Sequence, residues 1–358
     1  MDPISQGALG AALAGSAASR RGSERLAPAL LLGVLSGMAP DLDVLIRSST
    51  DPLLFLEYHR QFSHSLAFAP VGALVCAGLL HRLVRRWPMF RSRKANVPRR
   101  DASELRFRET YLFCLFGFAS HGLLDACTSY GTMLLWPFSD ARVAWNVISV
   151  IDPLFTVPLL TLLVWGLLGK RPGLARGAMS WALVYLCVGV IQGWRAERAG
   201  EALAEARLHE PSRLLVKPSF GNLLVWKVVY AADELFHVDA ARVGLVPSYF
   251  PGTSIPSLDV DRALPWLAAG SRHAADLERF RRFSDGYLAP APDREDAVID
   301  MRYSLIPNEV DPLWGILLDR ERQEAHVDFF TDRGTSRADR GALLRMLRGP
   351  GLSLEAAR

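Results

Sequence analysis

The sequence predicts a membrane α-helical bundle of about five spans plus a short N-terminal helix, followed by a C-terminal soluble α+β domain with a mainly antiparallel sheet. The chain of 358 residues is 50% hydrophobic and has a mean hydropathy of +0.14, although 22% of its residues are charged. Its apolar residues are therefore concentrated in runs, several of them about 20 residues long, the length that crosses a bilayer. All of these runs lie before residue 195, and shorter alternating runs follow. We expect a membrane domain over 1–194, a soluble domain over 195–332 and a tail over 333–358.

One short and five long apolar runs are the candidate membrane helices. The short run, residues 4–18, is rich in Gly and Ala. Small residues let membrane helices approach closely, so we expect a half-span or a re-entrant helix there. The five longer runs cover residues 28–46, 66–84, 111–136, 147–168 and 178–194.

Basic residues predict the orientation of these spans. Segment 82–108 contains ten basic and two acidic residues, and short basic loops stay on the cytoplasmic side of the membrane. Because the basic residues lie beside apolar runs, the net charge of +4 indicates topology rather than nucleic-acid binding, and membrane lipids are the expected partners. The same side of the membrane then receives Lys170, Arg171 and Arg176.

The opposite, extracytoplasmic side of the membrane receives the connections 51–65 and 136–146. The last span would also deliver the residues after 195 to that side, although Arg195 and Arg198 oppose this placement. In the C-terminal part we expect a charged, Ala-rich helix first, then strands, then a helix or a loose tail. The helix covers residues 195–208, the strand-like runs cover 223–230, 235–238, 298–305, 313–318 and 326–330, and the tail begins at Arg333.

Asp41 and Asp43 follow an apolar run within the segment Gly37–Asp43, in which Pro40 interrupts a helix. Ionisable side chains at bilayer depth cost several kcal/mol unless they are paired, coordinated or hydrated. Two acids in such a place indicate a compensating cation. The alternative is that the span ends at Ala39 and both acids are solvated caps.

Two histidines precede the second run, and a third faces an acid inside the next run. His59 and His64 are close enough in sequence to hold one divalent metal, although Ser63 or Ser65 followed by a helix also fits a simple N-cap. His121 and Asp125 are separated by four residues, which places both on one helix face. The alternative for this pair is a structural hydrogen bond between helices.

Asp152 precedes Pro153, and Asp followed by Pro is a frequent helix start, so its alternative role is an N-cap. The topology places it with the other polar residues near one membrane face. Imidazole and carboxylate donors suit Zn, with Mn or Fe(II) as alternatives, and a spare carboxylate suits a general base. An arginine beside the histidines suits a phosphate group. The candidate ligands are Asp41, Asp43, His59, His64, His121 and Asp125, and the candidate catalytic residues are Asp43, Arg60 and Asp152.

The ordered motifs of residues 1–160 resemble the membrane-bound metal-dependent hydrolases of the LexA-regulated, YdjM-like inner-membrane family. The resemblance implies a hydrolase in the inner membrane but names no substrate. Members have Gln or His where Gln6 stands, so its place in the ligand set is open, and Met301–Ser304 looks like an extension found in one branch. The matching motifs are Met1–Gln6 with the following Gly7–Gly15, Gly37–Asp43, His59–Ser65, His121–Asp125, Tyr130–Thr132, Pro137–Ser139 and Ile151–Pro153.

Three functions compete on these observations. The first is a membrane-embedded metal-dependent hydrolase acting on a lipid-like or phosphate-bearing ester at the interface. The second is an ion- or proton-coupled transporter in which Asp41, Asp43 and Asp125 form a relay. The third is a non-catalytic membrane scaffold whose polar residues hold helices together.

Overall fold

The computed structural model describes residues 1–21, 23–86, 105–332, 334 and 336–357. Most of the predicted basic loop, residues 87–104, lies outside the described residues. The chain divides into two units, and each is described separately. The first consists of Met1–Leu45 and Tyr58–Val188, and the second of Ile46–Glu57 and Gly189–Arg358.

The first unit is helical, and its polar capping residues determine where several helices begin. The Asp2 side chain accepts from the Ser5 amide at the start of the first helix, and the Asp152 side chain caps the sixth. A 3₁₀ segment, Ala39–Leu45, follows the second helix, and another, Phe62–His64, precedes the fourth. In chain order the helices are α1 Pro3–Ala18, α2 Leu26–Met38, α3 Leu54–Tyr58, α4 Ala69–Arg86, α5 Phe107–Ala126, α6 Pro153–Leu168 and α7 Gly173–Ala206. All of α3 except its last residue, and α7 from Gly189 onward, belong to the second unit.

Three glycines allow α1, α2 and α5 to pack with their backbones in close contact. A Cβ atom at Gly10 would lie 2.4 Å from the carbonyl oxygen of Gly33, and one at Gly117 would lie 2.6 Å from the same oxygen. Only glycine fits at such approaches. The short N-terminal helix is thus held against its neighbours by the small residues that the sequence contains there.

The prediction of five spans is not supported. In the described part of the chain, two helical segments are long and apolar enough to cross a bilayer, Ser23–Leu45 and Gly173–Ala206. The pair Leu54–His64 and Ala69–Val84 passes only as a combination bent by 82°. The apolar helix α6 has 16 residues, about 24 Å at helical rise, which is less than the hydrocarbon thickness.

The third predicted span, residues 111–136, fails for another reason. Its helix, α5, begins earlier and carries charged residues at its first turn, Arg108 and Glu109. It ends at Ala126, and the residues that follow form turns and an isolated bridge between Thr132 and Val143. The sequence Thr-Ser-Tyr-Gly after Cys127 favours turns over helix.

The second unit contains two antiparallel sheets of four strands, each with sequential strand order. They correspond to the predicted C-terminal sheet domain. The first sheet consists of β1 Arg213–Pro218, β2 Val225–Ala232, β3 Leu235–Val243 and β4 Pro247–Pro256. The second consists of β5 Leu288–Pro290, β6 Ala297–Asp300, β7 Trp314–Leu317 and β8 Asp328–Thr331, and the remaining helices are α8 Val260–Ala263, α9 Arg272–Phe283 and α10 Arg337–Arg348.

The first sheet of this unit is covered on both faces. One face packs Val228 and Tyr230 against Leu203 of α7, and the other packs Val229 against Ile299 of the second sheet. Helix α7 continues without a break past Trp194, so the fifth predicted span and the predicted helix 195–208 are parts of one helix. The last turns of α7 bury their apolar residues, such as Leu203, against the first sheet and expose their polar residues.

Candidate metal centre

Four side chains of the first unit converge on one point near the end of α5. Asp41 comes from the 3₁₀ segment after α2, His64 from the 3₁₀ segment before α4, and His121 and Asp125 from one face of α5. One donor atom from each lies within 4.8 Å of the donor atoms of the others. The structure therefore brings together four of the six predicted ligands in a single cluster, which we call the DHHD cluster.

The two imidazoles of the DHHD cluster face each other through their Nε2 atoms, which lie 2.9 Å apart. The Nδ1 atom of His121 lies 2.6 Å from the carbonyl oxygen of Gly37, which can only accept, so Nδ1 carries the proton. The Ser63 hydroxyl donates to Asp43 and is left to accept from Nδ1 of His64 at 3.0 Å. In their neutral forms, both imidazoles direct Nε2 lone pairs into the cluster.

Asp125 supplies a buried carboxylate oxygen to the same point. Its Oδ1 atom accepts from Nε2 of Gln6 at 2.8 Å and also contacts the amino group of Met1. Its Oδ2 atom has no hydrogen-bond partner in the described part of the chain, and it lies 3.2 Å from Nε2 of His64 and 3.5 Å from Nε2 of His121. A fully buried carboxylate oxygen that accepts no hydrogen bond is costly unless positive charge lies close to it. The Arg60 guanidinium, 3.1 Å away, supplies part of that charge.

Asp43 and His59 form a second, overlapping group with Asp41. The Oδ1 atom of Asp43 lies 2.8 Å from Nδ1 of His59, and its Oδ2 atom accepts from the Arg60 amide at 3.0 Å and from the Ser63 hydroxyl at 2.7 Å. Asp43 thus orients one histidine directly and His64 through Ser63. Such outer partners fix the tautomer and direction of metal-binding imidazoles.

Arg60 lies against the cluster, with a backbone φ of 64° that lets its amide reach Asp43. Its Nη1 donates to Thr128 at 3.0 Å, its Nε lies 3.1 Å from Oδ2 of Asp125, and its guanidinium stacks on the ring of Tyr130 at 4.7 Å. The guanidinium compensates part of the negative charge of the site and fixes Asp125. Thr128 and Tyr130 were not predicted as site residues, although they follow Asp125 by only three and five residues.

Asp152 is not part of the cluster. Its carboxylate accepts from the amides of Leu154 and Phe155 at 3.1 Å and 3.2 Å, and from the Tyr185 hydroxyl at 2.9 Å and 2.8 Å. It acts as the N-cap of α6, with Pro153 at the first helical position. The N-cap was the alternative role that the Asp-Pro sequence predicted for this residue.

The donor set fits a divalent cation. In a tetrahedral site with bonds of about 2.0–2.1 Å, neighbouring donor atoms lie about 3.3 Å apart. The five donor pairs measured in the DHHD cluster range from 2.9 Å to 3.5 Å. Two imidazole nitrogens with two carboxylate oxygens suit Zn, Mn or Fe(II).

Access to the cluster comes from the side of Asp41 and His59. Their side chains are 18% and 20% exposed, whereas those of His64, His121 and Asp125 are 0% exposed. Two large apolar side chains on the same 3₁₀ segment, Leu42 and Leu45, are 65% and 77% exposed. The opening therefore lies beside an apolar surface.

Comparisons with known proteins identify a family and two relatives of the chain. The chain is 24% identical to the uncharacterized protein YfhP of Bacillus subtilis (strain 168) over 287 residues, 78% of each chain. It is 37% identical to the inner membrane protein YbcI of Escherichia coli (strain K12) over 134 residues, which is 36% of this chain and 66% of YbcI. No solved structure matches. The sequence pattern of one family matches residues 1–196, which contain the whole DHHD cluster, and the chain belongs to that family, the YdjM inner membrane proteins.

Proposed function

We propose that this protein is a membrane-embedded, metal-dependent hydrolase that cleaves a lipid-like or phosphate-bearing ester at the membrane interface. The observation that carries the proposal is the meeting of two Nε2 lone pairs at 2.9 Å beside the Oδ2 atom of Asp125, which accepts no hydrogen bond from the described residues and is paired with the Arg60 guanidinium at 3.1 Å. Lone pairs and a carboxylate at such distances repel unless a positive charge lies among them. A divalent cation held by Asp41, His64, His121 and Asp125 supplies that charge.

A divalent cation in such a site polarises a carbonyl or phosphoryl oxygen and acidifies a water molecule. Zn is the first choice for the two imidazoles and two carboxylates, with Mn or Fe(II) as alternatives.

The Asp43–His59 pair is the proton acceptor in this proposal. A proton on Nδ1 of His59, directed at Asp43 at 2.8 Å, leaves Nε2 of the neutral ring free to take a proton. The ring is 20% exposed, so it can meet a water molecule or a substrate from the open side of the site. Asp43 holds the ring and stabilises its protonated form.

Arg60 has two roles in the proposal. Its contacts with Asp125 and Thr128 hold a ligand in place. Its remaining guanidinium N–H groups bind an anionic oxygen of the substrate, for which a planar donor fork is suited.

A lipid-like substrate is supported by the surroundings of the opening. Leu42 and Leu45 are exposed beside Asp41, and apolar side chains in such a position favour acyl chains over a fully water-soluble ester. We propose that the site lies at the extracytoplasmic interface of the inner membrane, because α4 ends and α5 begins at basic residues, Arg86 and Arg108, at the helix ends opposite to the cluster.

Metal content is the first test. Elemental analysis of the full-length protein, purified in detergent without added chelator, should find about one divalent metal per chain. His64→Ala and Asp125→Asn should each lose it. His81→Ala is the matched control, since His81 contacts Thr110 rather than the cluster, and it should retain the metal. Equal metal content in all four proteins would refute the DHHD cluster as the binding site.

Turnover is the second test and separates the competing functions. The metal-loaded protein in mixed micelles should hydrolyse a phospholipid or phosphoester substrate, and His59→Ala should lower the rate while keeping the metal. Metal-dependent ion flux into proteoliposomes with no hydrolysis would support a transporter instead. A scaffold would be supported by two results together: no turnover in the wild type, and unfolding of the variants that lack the metal.

A further inference from the structure

The first unit contains a cleft with basic and apolar walls that has no part in the DHHD cluster. It has a volume of about 540 Å³ and lies where the end of α1 meets the first turns of α7. The two helices are joined there by a hydrogen bond from the Ser16 hydroxyl to the carbonyl of Ala175, at 3.0 Å. The cavity is lined by Ser16, Arg20, Arg176, Met179, Ser180 and Leu183.

This cavity, the α1–α7 cleft, carries two positive charges and no acidic side chain. Neither Arg20 nor Arg176 forms an ion pair with an acid in the described ranges of the chain. Two guanidinium groups beside the Ser180 hydroxyl offer the donor arrangement that binds phosphate. Charge complementarity therefore favours an anionic occupant.

The other wall of the cleft is apolar and continues along α7. Met179 and Leu183 line the cleft, and Leu183 and the adjacent Val184 are 53% and 58% exposed. Helix α7 is one of the two helices with the length and hydropathy of a membrane span. An anion with a long apolar tail fits this combination better than a free inorganic anion.

The cleft lies at the opposite end of the helices from the DHHD cluster. Arg25, in the connection that follows Arg20, forms an ion pair with Glu109 at the start of α5, at 3.3 Å. The cluster ligand Asp125 lies at the other end of that helix, which has 20 residues and is about 30 Å long. Glu109 and Asp125 are separated by 16 residues of this helix, about 24 Å at helical rise and most of the hydrocarbon thickness. The cleft therefore lies toward the headgroup level at the end where α4 ends and α5 begins.

We propose that the α1–α7 cleft binds an anionic phospholipid, with Arg20 and Arg176 on its phosphate and an acyl chain along Met179 and Leu183. Basic pockets between membrane helices on the cytoplasmic side bind anionic headgroups. The proposal is independent of the hydrolase assignment.

The test uses the full-length, delipidated protein in neutral detergent, with dioleoylphosphatidylglycerol as the probe. Native mass spectrometry should find a single bound lipid, and the thermal midpoint should rise on its addition. The double variant Arg20→Gln/Arg176→Gln should bind the lipid about tenfold or more weakly. The matched control, Lys170→Gln/Arg108→Gln, removes the same charge from exposed residues that do not line the cleft and should bind like the wild type.

Three results would overturn the proposal. They are equal stabilisation by dioleoylphosphatidylcholine, equal stabilisation by potassium phosphate alone, and equal loss of binding in the control variant. If the double variant does not fold, the single variants Arg20→Gln and Arg176→Gln decide the question, because each should weaken binding by itself. Retained metal content in every variant shows that the other end of the unit is intact.

Discussion

The backbone of Gly122 lies directly against the carbonyl group of His64. A Cβ atom at position 122 would stand 2.0 Å from that oxygen and 3.1 Å from its carbon. Because Gly122 is next to His121, this approach sets the separation of the two imidazoles of the DHHD cluster. Glycine in the middle of a helix is otherwise unfavourable. At position 122 it is needed because any side chain would collide with the His64 carbonyl.

Gly122→Ala should therefore displace His64 and weaken metal binding by tenfold or more, with a loss of about 1–3 kcal/mol in the free energy of unfolding. The matched control is Gly78→Ala in α4, where a Cβ atom meets nothing within 4 Å. It should keep the metal and gain stability, because alanine is the better helix former. Metal titration and thermal unfolding of the three proteins measure both effects, and equal metal affinity in all of them would contradict this account.

Ser63→Ala should lower metal affinity by about 10–100-fold without removing a ligand. The Ser63 hydroxyl connects Asp43 to Nδ1 of His64, and without it the ring loses the group that fixes its tautomer. Ser65→Ala is the control, since the Ser65 hydroxyl bonds only within its own turn, to the Phe62 carbonyl and the Phe68 amide. Competition with a fluorescent chelator gives the two affinities, which should differ.

Asp152→Asn should retain both metal and turnover, because asparagine is as good an N-cap as aspartate. Asp152→Ala should cost about 1 kcal/mol of stability, and Tyr185→Phe should cost a similar amount by removing the hydroxyl that donates to Asp152. Rates at saturating metal and thermal midpoints provide the measurements. Loss of turnover in a folded, metal-loaded Asp152→Asn protein would restore the predicted catalytic role of this residue.

Lys227 makes the stability of the C-terminal domain depend on pH. It lies buried between the sheets, where Nζ donates to the Ser304 hydroxyl at 2.8 Å and to the Glu309 carbonyl at 2.9 Å. Burial lowers the pKa of Lys227 from its ordinary value of 10.5 to about 7, against the opposing attraction of Asp300. The unfolded chain therefore holds one more proton than the folded chain between about pH 7 and pH 10.5.

The free energy of unfolding should consequently rise with pH across that window, by up to ~1.4 kcal/mol per pH unit from this group. Lys227→Met should reduce the slope by that amount, whereas Lys170→Met, a lysine exposed outside this domain, should leave it unchanged. Denaturant titrations followed by tryptophan fluorescence at pH 7, 8 and 9 give the slopes. Parallel curves for the wild type and Lys227→Met would show that the lysine is charged in the folded domain.

The composition of the site could be predicted from the sequence because its physical cause is local. His121 and Asp125 lie four residues apart on a helix, and that spacing alone places them on one face. Asp41 and Asp43 stood out because acids are expensive in an apolar run. The sequence did not predict that Asp41 joins the DHHD cluster while Asp43 orients the histidines. These roles depend on the 3₁₀ geometry after Pro40 and on the hydroxyl of Ser63.

One strand that was not predicted, β4, has a sequence that argues against a strand. β4 contains Pro247, Gly252 and Pro256, which are turn residues, and it pairs with β3 through a register shift near Val238. Gly252 is required there, because a Cβ atom would lie 2.0 Å from the carbonyl oxygen of Asn308. Tertiary packing of this kind leaves no periodic pattern in the sequence.

The position of segment 46–57 could not be predicted from the sequence either. It lies between Asp43 and His59 in sequence, yet it belongs to the second unit, where Asp51 and Glu57 pair with Arg279 at 2.9 Å and 2.6 Å. The composition of this segment does not predict Arg279 as a partner more than 200 residues away, because a long-range ion pair leaves no local sequence pattern.

All four donors of the DHHD cluster come from the first 125 residues, and the C-terminal sheets contribute none of them. A gene truncated after α5 and its following turn would still encode the complete donor set. The second unit is nevertheless connected to the donor set along the chain, because segment 46–57, which joins Asp43 to His59, belongs to that unit and pairs with Arg279. A protein engineer who exchanges the sheet domain must therefore preserve the partner of this segment.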